Sequence, residues 1–161
     1  MAQSEKALTI CSSPVGSISL MLAAAALLVA AWPRLTLGSD AEILRPRVPA
    51  HLIEEARQSK NPFEATAENI DKGKAIFQGK AFCATCHGRD GRGLGDIADL
   101  RGKLPRNFTD HIWQAARSDG ELFWILKNGS PGTDMASFVP LVLTEDEAWQ
   151  VLLYVRAFGR Q

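Results

Sequence analysis

Two cysteines separated by two residues and followed at once by a histidine, Cys83-Ala84-Thr85-Cys86-His87, constrain this chain more than any other feature. Thiols at that spacing reach the two vinyl groups of one porphyrin and form thioethers. The histidine then presents its imidazole to the iron from the same side. Any fold must therefore be laid around a flat, bulky, covalently held group. Chance would produce the pattern in a chain this long on the order of once in a thousand times.

Two other chemistries use such a pair. A structural zinc site needs four ligands, yet outside the motif only Cys11, His51 and His111 are available, all widely separated. A thioredoxin-like redox pair needs a strand–helix setting, and this region reads as helix, loop and helix. Three cysteines are too few for a disulfide scaffold, and Cys11 is incidental. One covalent haem c, with its iron, is the reading that survives.

An iron built for electron exchange usually keeps a protein ligand on both faces. Of three methionines, Met1 and Met21 lie in the N-terminal segment, which leaves Met135 in a loop of turn residues, Gly129 to Phe138. A lone methionine is often core filler. Here its loop setting and the absence of a rival favour ligation. His111 is the second choice and would give a bis-histidine iron. The candidate site is thus Cys83 and Cys86 for attachment, with His87 and Met135 on the metal.

The rest of the chain falls into three parts. No charge occurs between Lys6 and Arg34, and Leu20–Trp32 has the length of an export-signal core. Residues 1–38 read as a signal peptide cut after Gly38, or as a retained membrane anchor of about 18 apolar residues. Prolines at 46, 49 and 62 break residues 39–66 into an arm or tether, with a short helix between His51 and Lys60. Residues 67–161 read as the haem domain. Helices are expected at Ala67–Gln78, Asp110–Arg117, Leu122–Lys127 and Ala148–Phe158, the last two opened by capping boxes at Ser118–Glu121 and Thr144–Glu147. Nothing alternates like a strand, so the fold class is all-α. The glycine-rich stretch Gly88–Gly95 lacks the ending and the strand of a phosphate loop. Its glycines suggest backbone passing close to a flat object.

Together these residues resemble the class I cytochrome c family over roughly Ala67 to Gly159. The likeness rests on a helix with Gly73 and Phe77 before the haem motif, the motif itself, a Gly-Thr-x-Met loop, and a final helix with Tyr154. It implies a small helical bundle wrapped around one haem, with first and last helices crossing at the glycine beside packed aromatics. It also implies a backbone carbonyl near a proline, here Pro105, holding the second nitrogen of the proximal histidine. Where the family has proline after the methionine, this chain has Ala136, which removes one restraint on the loop. The segment Asp119–Gly129 is similar to short cytochromes that serve as haem subunits of larger respiratory complexes.

The expected function is single-electron transfer between redox partner proteins, as a carrier or as the haem subunit of a membrane respiratory complex. The expected place is the periplasm or the outer face of the cytoplasmic membrane, with the N-terminal segment available for attachment. The alternative is a haem sensor or weak peroxidase with a dissociable Met135. No paired acids or activated nucleophile suggest an enzyme. Lys and Arg number 18, as do Asp and Glu, so nucleic acid is not an expected partner. Arg89, Arg92, Arg101, Lys103 and Arg106 could steer an acidic partner, but Asp90, Asp96 and Asp99 among them favour a solvated mixed-charge loop.

Overall fold

The computed structural model describes residues 44–97 and 104–160. The 1–38 segment, Cys11, Asp99, Arg101 and Lys103 lie outside them. Among the described residues there is no strand, and no helix is long and apolar enough to cross a membrane. The described residues contain six helices, in order: α1 Ile53–Gln58, α2 Ala67–Gln78, α3 Cys83–His87, α4 His111–Ala116, α5 Asp119–Asn128 and α6 Glu145–Phe158.

The local signals act where the sequence places them. Thr66 caps α2 by accepting from the Asn69 amide, and Gly79 ends it. Asp110 caps α4 through the Ile112 and Trp113 amides. Both capping boxes are complete, Ser118 with Glu121 and Thr144 with Glu147. α5 and α6 begin directly after their caps, three residues before the expected starts, because the box residues themselves form the first turn.

α2 and α6 form the frame. They meet at Gly73, where a Cβ would lie 2.0 Å from the Gln150 carbonyl oxygen, so no larger residue permits this approach. Phe77, 1% exposed, fills the space beside the crossing, with Tyr154 and Phe158 at ring-centroid distances of 5.3 and 5.6 Å. Burying one such ring stabilises a fold by roughly 1.5–3 kcal/mol. The crossing implied by the family resemblance is therefore present.

Arg156 of α6 ties three elements together. Its Nε donates to Asp119 Oδ1 at 2.7 Å, and its Nη1 donates to the Gln114 carbonyl and to Gln114 Oε1, both at 2.8 Å. Its Nη2 donates to the Arg117 carbonyl. These bonds occupy carbonyls that the end of α4 leaves without helical partners.

The segment before α2 is packed. Gly120 at the start of α5 has no room for a side chain, because a Cβ would fall 1.8 Å from the Ala56 carbonyl oxygen. Arg57 Nε lies 3.5 Å from the buried Glu121, and Asn61 Nδ2 donates to the Trp149 carbonyl at 2.9 Å. Val48 is 4% exposed.

Candidate haem site

α3 is a single turn. Cys83, Cys86 and His87 are three and four residues apart, so one face of that turn carries all three. Phe82 starts it with φ at 53°, an uncommon angle for a bulky residue, and offers no side-chain cap. The glycine-rich stretch closes the other end. Gly88, Gly93 and Gly95 donate their amides to the carbonyls of Ala84, His87 and Cys86, and Ile97 donates to Thr85. All four terminal carbonyls of the turn are thereby satisfied.

Two of these glycines are also needed for close approach to protein. A Cβ on Gly95 would lie 2.2 Å from the Thr85 carbonyl oxygen, and one on Gly91 would lie 2.8 Å from the Phe158 ring.

His87 is 8% exposed and stacks on Phe108 at a centroid distance of 4.3 Å. Its Nδ1 lies 3.1 Å from the Arg106 carbonyl oxygen. A carbonyl only accepts, so Nδ1 carries the proton and the Nε2 lone pair is left for a metal. Burial pushes the imidazole pKa down to about 4, which keeps it neutral and able to ligate at pH 7. The carbonyl comes from the residue after Pro105, in agreement with the resemblance. Burial also pushes the Cys83 thiol up to about 12 and raises Cys86. Neither thiol has the lowered pKa of a nucleophilic redox cysteine. Among the described residues no three His, Cys, Asp or Glu side chains gather into a metal cluster.

Cys83, Cys86, His87 and Met135 all line one cavity of about 760 Å³. Core residues of several elements complete it, among them Phe77, Phe108, Trp113, Leu126, Leu152 and Val155. The volume falls within the ~300–1,000 Å³ of cofactor sites. This core is shaped for a large apolar group, and a porphyrin fits it.

Met135 is half-buried against the core. Its loop is held by its own hydrogen bonds. Ser130 N–H donates to the Met135 carbonyl at 2.9 Å, Met135 N–H donates to Thr133 Oγ1 at 3.2 Å, and Thr133 Oγ1 donates to the Ser130 carbonyl at 2.7 Å. This network restrains the loop where Ala136 replaces the family's proline. His111 is placed differently: it is the exposed first residue of α4 and does not line the cavity. The second-choice ligand, His111, is therefore not brought together with the other site residues.

Among the described residues, the basic side chains after the motif do not form one patch. Arg89 and Arg92 are exposed, with Arg92 3.5 Å from Asp90, whereas Arg106 is half-buried at the cavity. Three features escaped the sequence reading: Gly120, Arg156, and the arginines that reach the cavity from outside the motif. Arg45, Arg47 and Arg117 line it together with Glu121. Glu121 is 3% exposed and its Oε1 has no hydrogen-bond partner among the described residues.

An all-α bundle enclosing a cavity with a Cys-x-x-Cys-His turn on its wall defines a c-type haem protein. The family model described as cytochrome c matches residues 70–158, and the chain belongs to the cytochrome c family. Its cofactor is accordingly covalently attached haem c. Among solved structures, a chain of the Kuenenia stuttgartiensis reducing HAO-like protein complex Kustc0457/Kustc0458 is 32% identical, with a TM-score of 0.53. The match covers 60% of this chain and 46% of that one, so it spans about half of the neighbour's length. No curated protein matches the chain.

Proposed function

We propose that this protein is a monohaem cytochrome c that passes single electrons between redox partner proteins outside the cytoplasm, as the haem subunit of a membrane-associated respiratory complex or as a carrier. Cys83 and Cys86 would hold the haem through thioethers, and His87 and Met135 would ligate its iron. The observation that carries this reading is the meeting of all four side chains at one cavity, with His87 fixed in the ligating tautomer by the Arg106 carbonyl.

When bound, the haem supplies the one-electron couple. The protein's own residues set its conditions. The Arg106 carbonyl keeps the His87 ring oriented and basic. Phe108 stacks on one side of that ring, and the apolar core excludes water from the ligand. The Ser130 and Thr133 bonds hold the methionine loop in place, so a change of redox state needs little rearrangement. The same bonds argue against a sensor or peroxidase with a dissociable Met135.

Extracytoplasmic location draws its support from the charge-free apolar segment between Lys6 and Arg34. Service within an assembly draws support from the Kuenenia neighbour, whose structure is that of a protein complex. The test is to express the full chain with haem maturation and digest it. A peptide spanning 83–87 should carry the mass of one haem, and Cys83→Ala with Cys86→Ala should abolish it. A haem-free peptide from matured protein would overturn the proposal. Retention in the membrane fraction through a high-salt wash supports the subunit form, and release into the periplasm supports the carrier.

A further inference from the structure

Residues 45–61 precede the family-matched residues 70–158, yet they are fastened to the haem domain at defined points. α1 rests on the start of α5, where a Cβ on Gly120 would lie 1.8 Å from the Ala56 carbonyl oxygen and 2.7 Å from that of Ser59. Beside this seat Arg57 Nε lies 3.5 Å from Glu121, and Asn61 Nδ2 donates to the Trp149 carbonyl of α6 at 2.9 Å. Asn61 Oδ1 also accepts from the Phe63 amide at 3.0 Å, so one side chain both turns the segment and pins it.

From that seat the arm reaches the methionine loop. Arg45 to Ala50, with Ile53, wall a second and more open cavity together with Pro131 and Gly132 of the loop. Arg45, Arg47 and Val48 also line the haem cavity that Met135 lines. Val48 is 4% exposed although Pro46 and Pro49 bracket it. A segment so broken has no helix of its own in which to bury a valine, and it buries Val48 in the wall of the haem cavity instead.

The methionine loop is suspended from the end of α5. Gly129 N–H donates to the Ile125 carbonyl, and Phe138 and Val139 N–H donate to that of Leu126, so both stems meet one helix end. The Ser130 and Thr133 bonds keep the shape of the loop. A loop with adjoining stems can still move as a unit, and the arm lies along its flank.

We propose that residues 45–61 act as a strap over the methionine side of the haem site, keeping water and outside ligands from the place of Met135, so that lifting the strap opens the iron. The inference rests on the proposed ligation by Met135. Gly120 is the seat of the strap, and Val48 is the positioning residue at its far end.

Val48→Asp and Gly120→Val, made in the full matured chain, lift the strap from its two ends. Glu55→Gln, at an exposed position of α1, is the control. Trypsin cleavage after Arg57 or Lys60 reports the lifting. Both variants should be cut faster than the parent. They should lose the weak band near the red edge of the oxidised spectrum, which reports methionine–iron ligation, at urea concentrations below those of global unfolding. Their reduced forms should bind carbon monoxide about tenfold faster, in proportion to the open fraction, with the control matching the parent throughout. If Gly120→Val fails to fold, Val48→Asp alone decides. An arm in Val48→Asp that is cut faster while the band and carbon monoxide binding match the parent overturns the inference, and so does an arm as resistant as the parent's. Absence of the band from the parent would instead overturn the Met135 ligation on which it rests.

Discussion

Gly73 lies where α2 and α6 touch, and any side chain there would begin 2.0 Å from a backbone oxygen that cannot swing aside. Gly73→Ala must push the two helices apart, and we expect a loss of about 1–3 kcal/mol or more in denaturant melts of the haem-loaded protein. Unchanged stability would mean that the two helices can separate at little cost. Arg156 makes a comparable case. It satisfies the Gln114 and Arg117 carbonyls as well as pairing with Asp119, so Arg156→Ala leaves several groups without partners. A loss of about 2–4 kcal/mol is expected, with Arg156→Lys recovering only part of it. Gly73 was legible in the sequence because a helical glycine before a haem motif has a family precedent. Arg156 and Gly120 were not, because what they touch is backbone from segments far away in sequence. A carbonyl oxygen leaves no mark in the residue code. The Arg106 carbonyl, which holds His87, was legible only through the family resemblance that points to a carbonyl near Pro105.

Among the elements, those with local start signals could be read most fully. α2 has the expected boundaries, and both capping boxes formed, since their bonds join residues only three apart. α3 was not read as a helix: it has five residues, no capping side chain, and carbonyls completed by a later loop. The box at the start of α6 also reaches outward. Lys80 Nζ donates to both oxygens of Glu147 at 2.7 and 2.8 Å, linking the α2–α3 turn to α6. That ion pair, followed by the Thr144 amide, holds the Glu147 carboxylate below its ordinary value of 4.5. A carboxyl whose folded pKa is lowered stabilises the fold above its unfolded pKa, and the contribution disappears as pH falls through the folded value. The parent should therefore lose stability relative to Glu147→Gln as pH is taken from 6 to below 4. Parallel stability curves for the two proteins across that range would refute the link.

The whole molecule is organised around a space. Its two framing helices, the α5–Met135 loop and the Cys83–His87 turn all contribute to one cavity of about 760 Å³. The all-α class and the bundle could be read from helical periodicity and caps, but the cavity's arm-side wall could not, since arm and core are joined only in three dimensions. A core with so large a space cannot keep its packing without its cofactor. The chain prepared without haem should lose its near-ultraviolet circular dichroism and its cooperative melt. Native-like cooperative unfolding of that form would show that the core closes by itself.

If His87 and Met135 close the iron for electron exchange, the optical spectrum of the matured protein reports it. The oxidised protein should show the weak band near the red edge that reports methionine–iron ligation, and Met135→Ala should lose it and bind carbon monoxide when reduced. Absence of the band from the parent, with ready carbon monoxide binding to its reduced form, would contradict the account.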